Sequence, residues 1–380
     1  MKSNYRYIVK AFMAMAVIAG TTSCDDFLDR EPMSSISPET YYSTAAQLEA
    51  NLNDEYPNVL PSFGQWTYGI FGEDKGTDNQ IEVNANDRYT QDRWKVPHSE
   101  SDNWKFERIY RINFFLSEAL PKFGEDMIGS QNTISGSVAT IKHYIGEMYF
   151  LRAYEYFKKL QLFGDFPIIN QPLADEMEAL REASKRFPRN EVARFIISDL
   201  DKAYAYMSDV DMATTRINKD AAMLVKSRVA LFEATWLQNF KGTAFVPGGE
   251  GWPGASLHNN YQYPSGNIDN EVKYFLEQAV EASKLVADKY KGSLTENTGV
   301  LQQSADDPSN PYFDMFAQED LSDVKEVLLW RQYARGLSTH NINAAAGRGN
   351  YRIGLTRGFV QNFLMKDGTP VYAHGSYADG

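Results

Sequence analysis

Two stretches of this chain mix aromatic rings with hydrogen-bonding side chains densely enough to do binding chemistry. Residues 64–94 hold Trp66, Tyr68, Phe71, Asp74, Asp78, Asn79, Tyr89, Arg93 and Trp94, punctuated by Gly64, Gly69, Gly72 and Gly76. Residues 252–263 hold Trp252, His258, Asn259, Asn260, Tyr261 and Tyr263, and Arg348 sits between Gly347 and Gly349. Flat rings cover the C–H face of a sugar or stack on a peptide, while Asp, Asn and Arg read hydroxyls and amides. The candidate ligand contacts are therefore Trp66, Asp74, Asp78, Arg93, Trp94, Trp252, Tyr261 and Arg348. Each has a plainer alternative: the rings can pin their loops to the body, and Asp74 and Asp78 can cap turns. Trp104, Trp236 and Trp330 fall on helix or strand patterns and are assigned to the core.

Other chemistry is poorly supported. The five histidines show no close pairing of the His-x3-His kind, and Asp74-x3-Asp78 lacks the ligand spacing of a calcium loop, so no metal site is expected. Gly249-x-Gly251-x-x-Gly254 matches a dinucleotide fingerprint formally, but no strand leads into it and Pro253 sits inside, so no cofactor is expected. No Gly-x-Ser-x-Gly elbow occurs. With 50 acidic residues no carboxylate pair stands out for glycoside cleavage, and no catalytic residue is assigned. The net charge of −12 argues against a nucleic-acid partner and against electrostatic adhesion to anionic lipid.

Cys24, the only cysteine in 380 residues, carries a different chemistry. Lys2, Arg6 and Lys10 precede a short apolar run, Ala11–Gly20, and Thr21-Thr22-Ser23 supply small residues just before Cys24. That is the layout of a secretory signal peptide, too short to span a bilayer. A cysteine directly after small residues resembles a bacterial lipobox, with Cys24 as the lipidated first residue of the mature chain. Thr21 stands where such motifs usually have Leu. The alternative is ordinary cleavage beside a free thiol, but a lone cysteine has no disulfide partner to explain it. No other run reaches the roughly 18 apolar residues of a membrane helix.

The elements that must position these groups are mostly helical. Ser37-Pro38 reads as a helix start, ending before Pro57. Helical periodicity returns over 101–120 and about 135–163, the latter apolar around most of its girth and so placed between other helices. Further helices are expected at 189–208, 218–239 and 268–291. Residues 60–98 and 242–266 keep no period and are long irregular loops. Val324–Trp330 reads as a short strand, and 363–372 as a hairpin with an Asp367-Gly368 turn. Pairs of moderate helices joined by short turns imply an α-solenoid, with Gly146-x-x-Tyr149, Ala153 and Phe157 as a degenerate tetratricopeptide echo.

Several segments, in order, resemble the SusD/RagB family of outer-membrane nutrient-binding lipoproteins. They are the run Ser23-Cys24-Asp25-Asp26-Phe27-Leu28-Asp29; Trp104-x5-Tyr110-x-x-Asn113; Gly146–Phe157 leading into Phe163-Gly164-Asp165-Phe166-Pro167; Lys219–Phe232; and Phe363-x-Met365-x-Asp367-Gly368. The resemblance implies a mainly α fold: an α-superhelical body of tetratricopeptide-like helix pairs with long irregular loop insertions and minor β hairpins. It divides the chain into a signal peptide (1–23), a lipid-anchored lead-in (24–45) and a body (46–380). Members usually continue well beyond 372, so part of the second half is expected to be absent. It also implies a surface-exposed outer-membrane lipoprotein, not an enzyme, that captures an oligosaccharide or polysaccharide and hands it to a SusC-like TonB-dependent transporter. RagB-like members would take peptide instead. A surface glycoside hydrolase and a helical scaffold for protein partners are the alternatives from other classes.

Overall fold

The computed structural model describes residues 41–61, 74–82, 103–124, 126–207, 212–301, 304, 306–334, 339 and 353–375. Among them, helix α1 (Ala45–Val59) opens with a capping box: Thr44 Oγ1 accepts the Gln47 N–H, and Gln47 Oε1 accepts the Thr44 N–H at 3.0 Å. Such a box contributes about 1 kcal/mol. The predicted start at Ser37 lies outside the described residues. The predicted stop before Pro57 is corrected, since α1 runs through Pro57 to Val59. Two tertiary anchors hold that last turn: Val59 is buried, and the Tyr56 hydroxyl donates to Glu147 at 2.6 Å.

Helices α2 (Glu107–Phe123) and α3 (Val138–Phe163) follow. As its all-round apolar pattern requires, α3 is central, packing against α1, α2 and the next long helices. After the short α4 (Met177–Ala183) come α5 (Arg189–Tyr206), α6 (Lys219–Asn239) and α7 (Ile268–Tyr290). α5 packs on α3, α6 on α5 and α7 on α6, so the helices stack in sequence order around one apolar core. Gly146 sets the spacing of α3 and α5: a Cβ there would lie 2.8 Å from the Met207 backbone nitrogen.

The β structure is slight. Strand β1 (Gln80–Glu82) pairs antiparallel with β2 (Ile353–Leu355), Gln80 opposite Leu355, and the short helices α8 (Pro311–Ala317) and α9 (Arg357–Gln361) flank this part of the chain. The predicted strand at Val324–Trp330 is corrected to consecutive turns, because no strand among the described residues offers it a partner. It is held by side chains instead: Trp330 Nε1 donates to Thr214 Oγ1 at 2.8 Å, and Leu328 O accepts from Asn218 Nδ2 at 2.6 Å. The predicted hairpin at 363–372 keeps its turn, with Gly368 at φ +83° and its N–H on Met365 O. Its arms meet at one bridge, Leu364 to Pro370, made by the Met365 N–H on Thr369 O and the Val371 N–H on Phe363 O, and the ladder ends there because Val371–Ala373 turns into a 3-10 helix.

Candidate ligand-binding site

The segment Phe163–Pro167 works as a clasp. Gly164, at φ +67°, turns the chain out of α3. Phe166 is fully buried among Trp104, Phe106 and Phe163, and it exchanges backbone hydrogen bonds with Phe187 just before α5. Asp165 accepts the Arg189 N–H at the start of α5 (2.9 Å) and the Trp252 indole N–H (2.7 Å). Burial pushes the Asp165 carboxyl above its usual range, against the pull of those two donors and of the nearby arginines. The end of α3, the start of α5 and the 242–266 loop thus meet at one carboxylate.

Of the two readings of Trp252, the geometry favours the loop fastener: the residue is 5% exposed and its one donor is spent on Asp165. Tyr261 is drawn the same way. Its hydroxyl exchanges hydrogen bonds with Asn190 at 2.9–3.0 Å, its ring meets Trp252 and Tyr263, and burial raises its pKa well above the phenolic range. Beneath the loop lie two ion pairs with buried carboxylates. Arg189 holds the fully buried Glu233, and Arg194 grips Glu271 at 2.7 and 2.9 Å. Burial pushes Glu271 up, but donors from Arg194, Asn190 and Ser265 outweigh it and hold its carboxyl below the usual range.

The other described candidates sit apart from this clasp. Asp74 and Asp78 occupy an exposed turn leading into β1, where Thr77 Oγ1 donates to Asp74 O at 2.7 Å. Both residues are exposed, with Asp74 Oδ2 accepting from Asn79 Nδ2 at 3.5 Å, and the backbone is engaged: Thr356 Oγ1 donates to Asp78 O, and the Thr356 N–H to Asn79 O at 2.9 Å. The β1–β2 ribbon therefore brings the middle of the 64–94 stretch onto the chain that follows Arg348. Two lysines of α3 fix the roots of the same stretch, Lys158 donating to Val59 O (2.9 Å) and Lys159 to Asn103 O (2.7 Å). Trp66, Arg93, Trp94, Arg348 and the lipidation candidate Cys24 lie outside the described residues. Trp104 and Trp236 pack against the core as expected.

Two of the cavities among the described residues adjoin these elements. One, of about 330 Å³, is apolar, between Phe106, Tyr110, Ile169, Leu173 and Leu180. The other, about 340 Å³, joins Arg194, Ser198, Asp201, Lys202 and Tyr274, but Arg194 is spent on Glu271 and Asp201 is paired with Lys226. No group of three or more potential metal ligands occurs among the described residues. Nor is any helix among them long and apolar enough to cross a membrane. Phe245 is among the exposed rings that the sequence reading did not single out. It is 61% exposed, and its only signal was a phenylalanine inside a glycine-rich loop.

With this geometry in hand, comparison with known proteins is decisive at one point. A family of SusD-like proteins, described as starch-binding and associating with the outer membrane, matches residues 26–231, just over half of the chain. The chain belongs to the SusD-like family. Two SusD-like proteins of Formosa agariphila are 26% and 25% identical to it, over 56% and 63% of this chain but only 41% and 46% of their own. The chain thus spans less than half the length of these relatives. A SusD-like carbohydrate-binding protein of Bacteroides fragilis superposes with a TM-score of 0.55 at 15% identity, covering 89% of this chain and 57% of its own. That likeness shows the fold: a mainly helical SusD-like body.

Proposed function

We propose that this protein is a non-catalytic, lipid-anchored capture protein of the outer membrane. It would bind an oligosaccharide or polysaccharide at the cell surface and pass it to a SusC-like TonB-dependent transporter. The family match over residues 26–231 carries this reading. The pairing of Gln80–Glu82 with Ile353–Leu355 supports it, because it ties the exposed Asp74–Asp78 turn to the chain that follows Arg348, two of the segments whose composition suits a sugar ligand. Cys24 supplies the anchor.

The test is calorimetry of the mature chain, carrying Cys24→Ser, against amylopectin, mixed-linkage β-glucan, xylan, galactomannan and mucin glycans, with product analysis of each mixture. Binding without new fragments is the expected result. Shorter products would replace the reading with a hydrolase, and silence from folded protein would refute glycan capture. Cys24→Ser in the exporting cell should release the protein from the membrane fraction. Co-purification with a SusC-like transporter tests the hand-off.

A further inference from the structure

The 242–266 loop turns most of its aromatic rings inward and one outward. The outward ring, Phe245, is held there by a loop that has little freedom. Val246 and Pro247 beside it are buried, and Pro247 O accepts the Tyr263 hydroxyl at 2.6 Å. Phe245 O accepts the Trp236 indole N–H at 3.1 Å. The Glu250 N–H closes on Gly242 O, and a Cβ at Gly249 would fall 1.9 Å from Thr243 O. Leaving a phenyl ring in water forgoes about 1.5–3 kcal/mol of burial. Here it is left out by a tightly bonded loop whose next two residues are buried.

Phe245 does not stand alone. Its edge meets Phe240 at 5.4 Å, and Phe240 lies 4.6 Å from Trp236. The Arg189 guanidinium covers Trp236 at 4.1 Å and is itself fixed by buried Glu233. Three adjoining rings are thus backed by an ion pair in the core.

We propose that exposed Phe245, held in place by the half-buried rings of Phe240 and Trp236 behind it, is a preformed glycan platform that takes the C–H face of an uncharged sugar ring, separate from the Asp74–Asp78 ribbon. The inference rests on the glycan reading above and adds a site to it. The Trp236 indole donor is consumed by Phe245 O, so the exposed Phe245 ring presents aromatic surface with no hydrogen-bonding demand beside it from the indole. Lys241, next to Phe240, is neutralised by Asp269 at 2.5–2.7 Å, which leaves no local charge to select an anionic ligand. Exposed Asn239, one helical turn on from Trp236, is the neighbouring polar group for ring hydroxyls. A pyranose, apolar on its face and polar at its edge, matches that pattern. A partner helix would instead need a groove with anchors at i, i+3 and i+4 spacing.

The experiment repeats calorimetry with whichever panel polysaccharide binds, using Phe245→Ala, Phe245→Gln and Phe245→Tyr in the Cys24→Ser chain. Ala and Gln are expected to weaken binding about tenfold, and Tyr by no more than about twofold, with all three variants still folded and their unfolding midpoints lowered by no more than the loss of the Phe240 edge contact. Wild-type affinity in both Ala and Gln variants overturns the platform and leaves glycan capture standing. Failure of the unsubstituted chain to bind any panel member overturns both.

Discussion

Trp252 offers the sharpest test of the clasp, because a stabilising and a ligand-stacking role predict opposite outcomes. Trp252→Phe keeps most of the buried ring but removes the N–H that reaches Asp165 at 2.7 Å. A hydrogen bond to a charged group contributes about 1.5–3 kcal/mol. The lower half of that range is expected, since Asp165 keeps the Arg189 N–H. Trp252→Ala also opens a cavity at a 5%-exposed site, for a total of about 3–5 kcal/mol. Urea unfolding of the single variants, with Asp165→Asn and the double variant Trp252→Phe/Asp165→Asn, isolates the pair. A coupling of at least about 1 kcal/mol is expected, whereas independent sites add within about 0.3–0.5 kcal/mol. Glycan affinity of Trp252→Phe should equal that of the unsubstituted chain. Unchanged stability, or an additive cycle, would refute the clasp; lost affinity at full stability would return Trp252 to the ligand.

Two further outcomes follow from buried charge. Arg152, 3% exposed, bonds Asp199 through two nitrogens at 2.6 and 2.8 Å and also reaches Asn113. Arg152→Met should cost about 3–5 kcal/mol in urea unfolding by stranding the buried Asp199, and Arg152→Met/Asp199→Leu should recover part of that loss. Glu271, whose folded pKa lies below its unfolded value, contributes stability that is present above the unfolded pKa and lost as pH falls through the folded one. The stability difference between the unsubstituted chain and Glu271→Gln should therefore be largest near neutral pH and shrink on acidification below about pH 4.5. A constant difference from pH 7 to pH 3 would contradict the assignment.

The sequence by itself determined the helical body. The periods around Ile141–Leu160 and in the 189–208, 218–239 and 268–291 segments repeat every turn, and local spacing is enough to expose such a signal. The Phe163–Pro167 segment was legible as specific, but its role as a clasp was not, because its partners lie at Arg189 and Trp252, far along the chain. The same limit governs the strands. The pattern at Val324–Trp330 looked extended yet found no neighbour, while β1 and β2, each three residues long, exist only because Gln80 meets Leu355 across the fold. The loop aromatics show the limit most clearly. Trp252 and Phe245 lie in one glycine-rich loop, and composition treats their rings alike. Which ring turns inward was decided by tertiary structure alone: by the Asp165 acceptor waiting for Trp252, and by the buried Val246-Pro247 step that leaves Phe245 facing water.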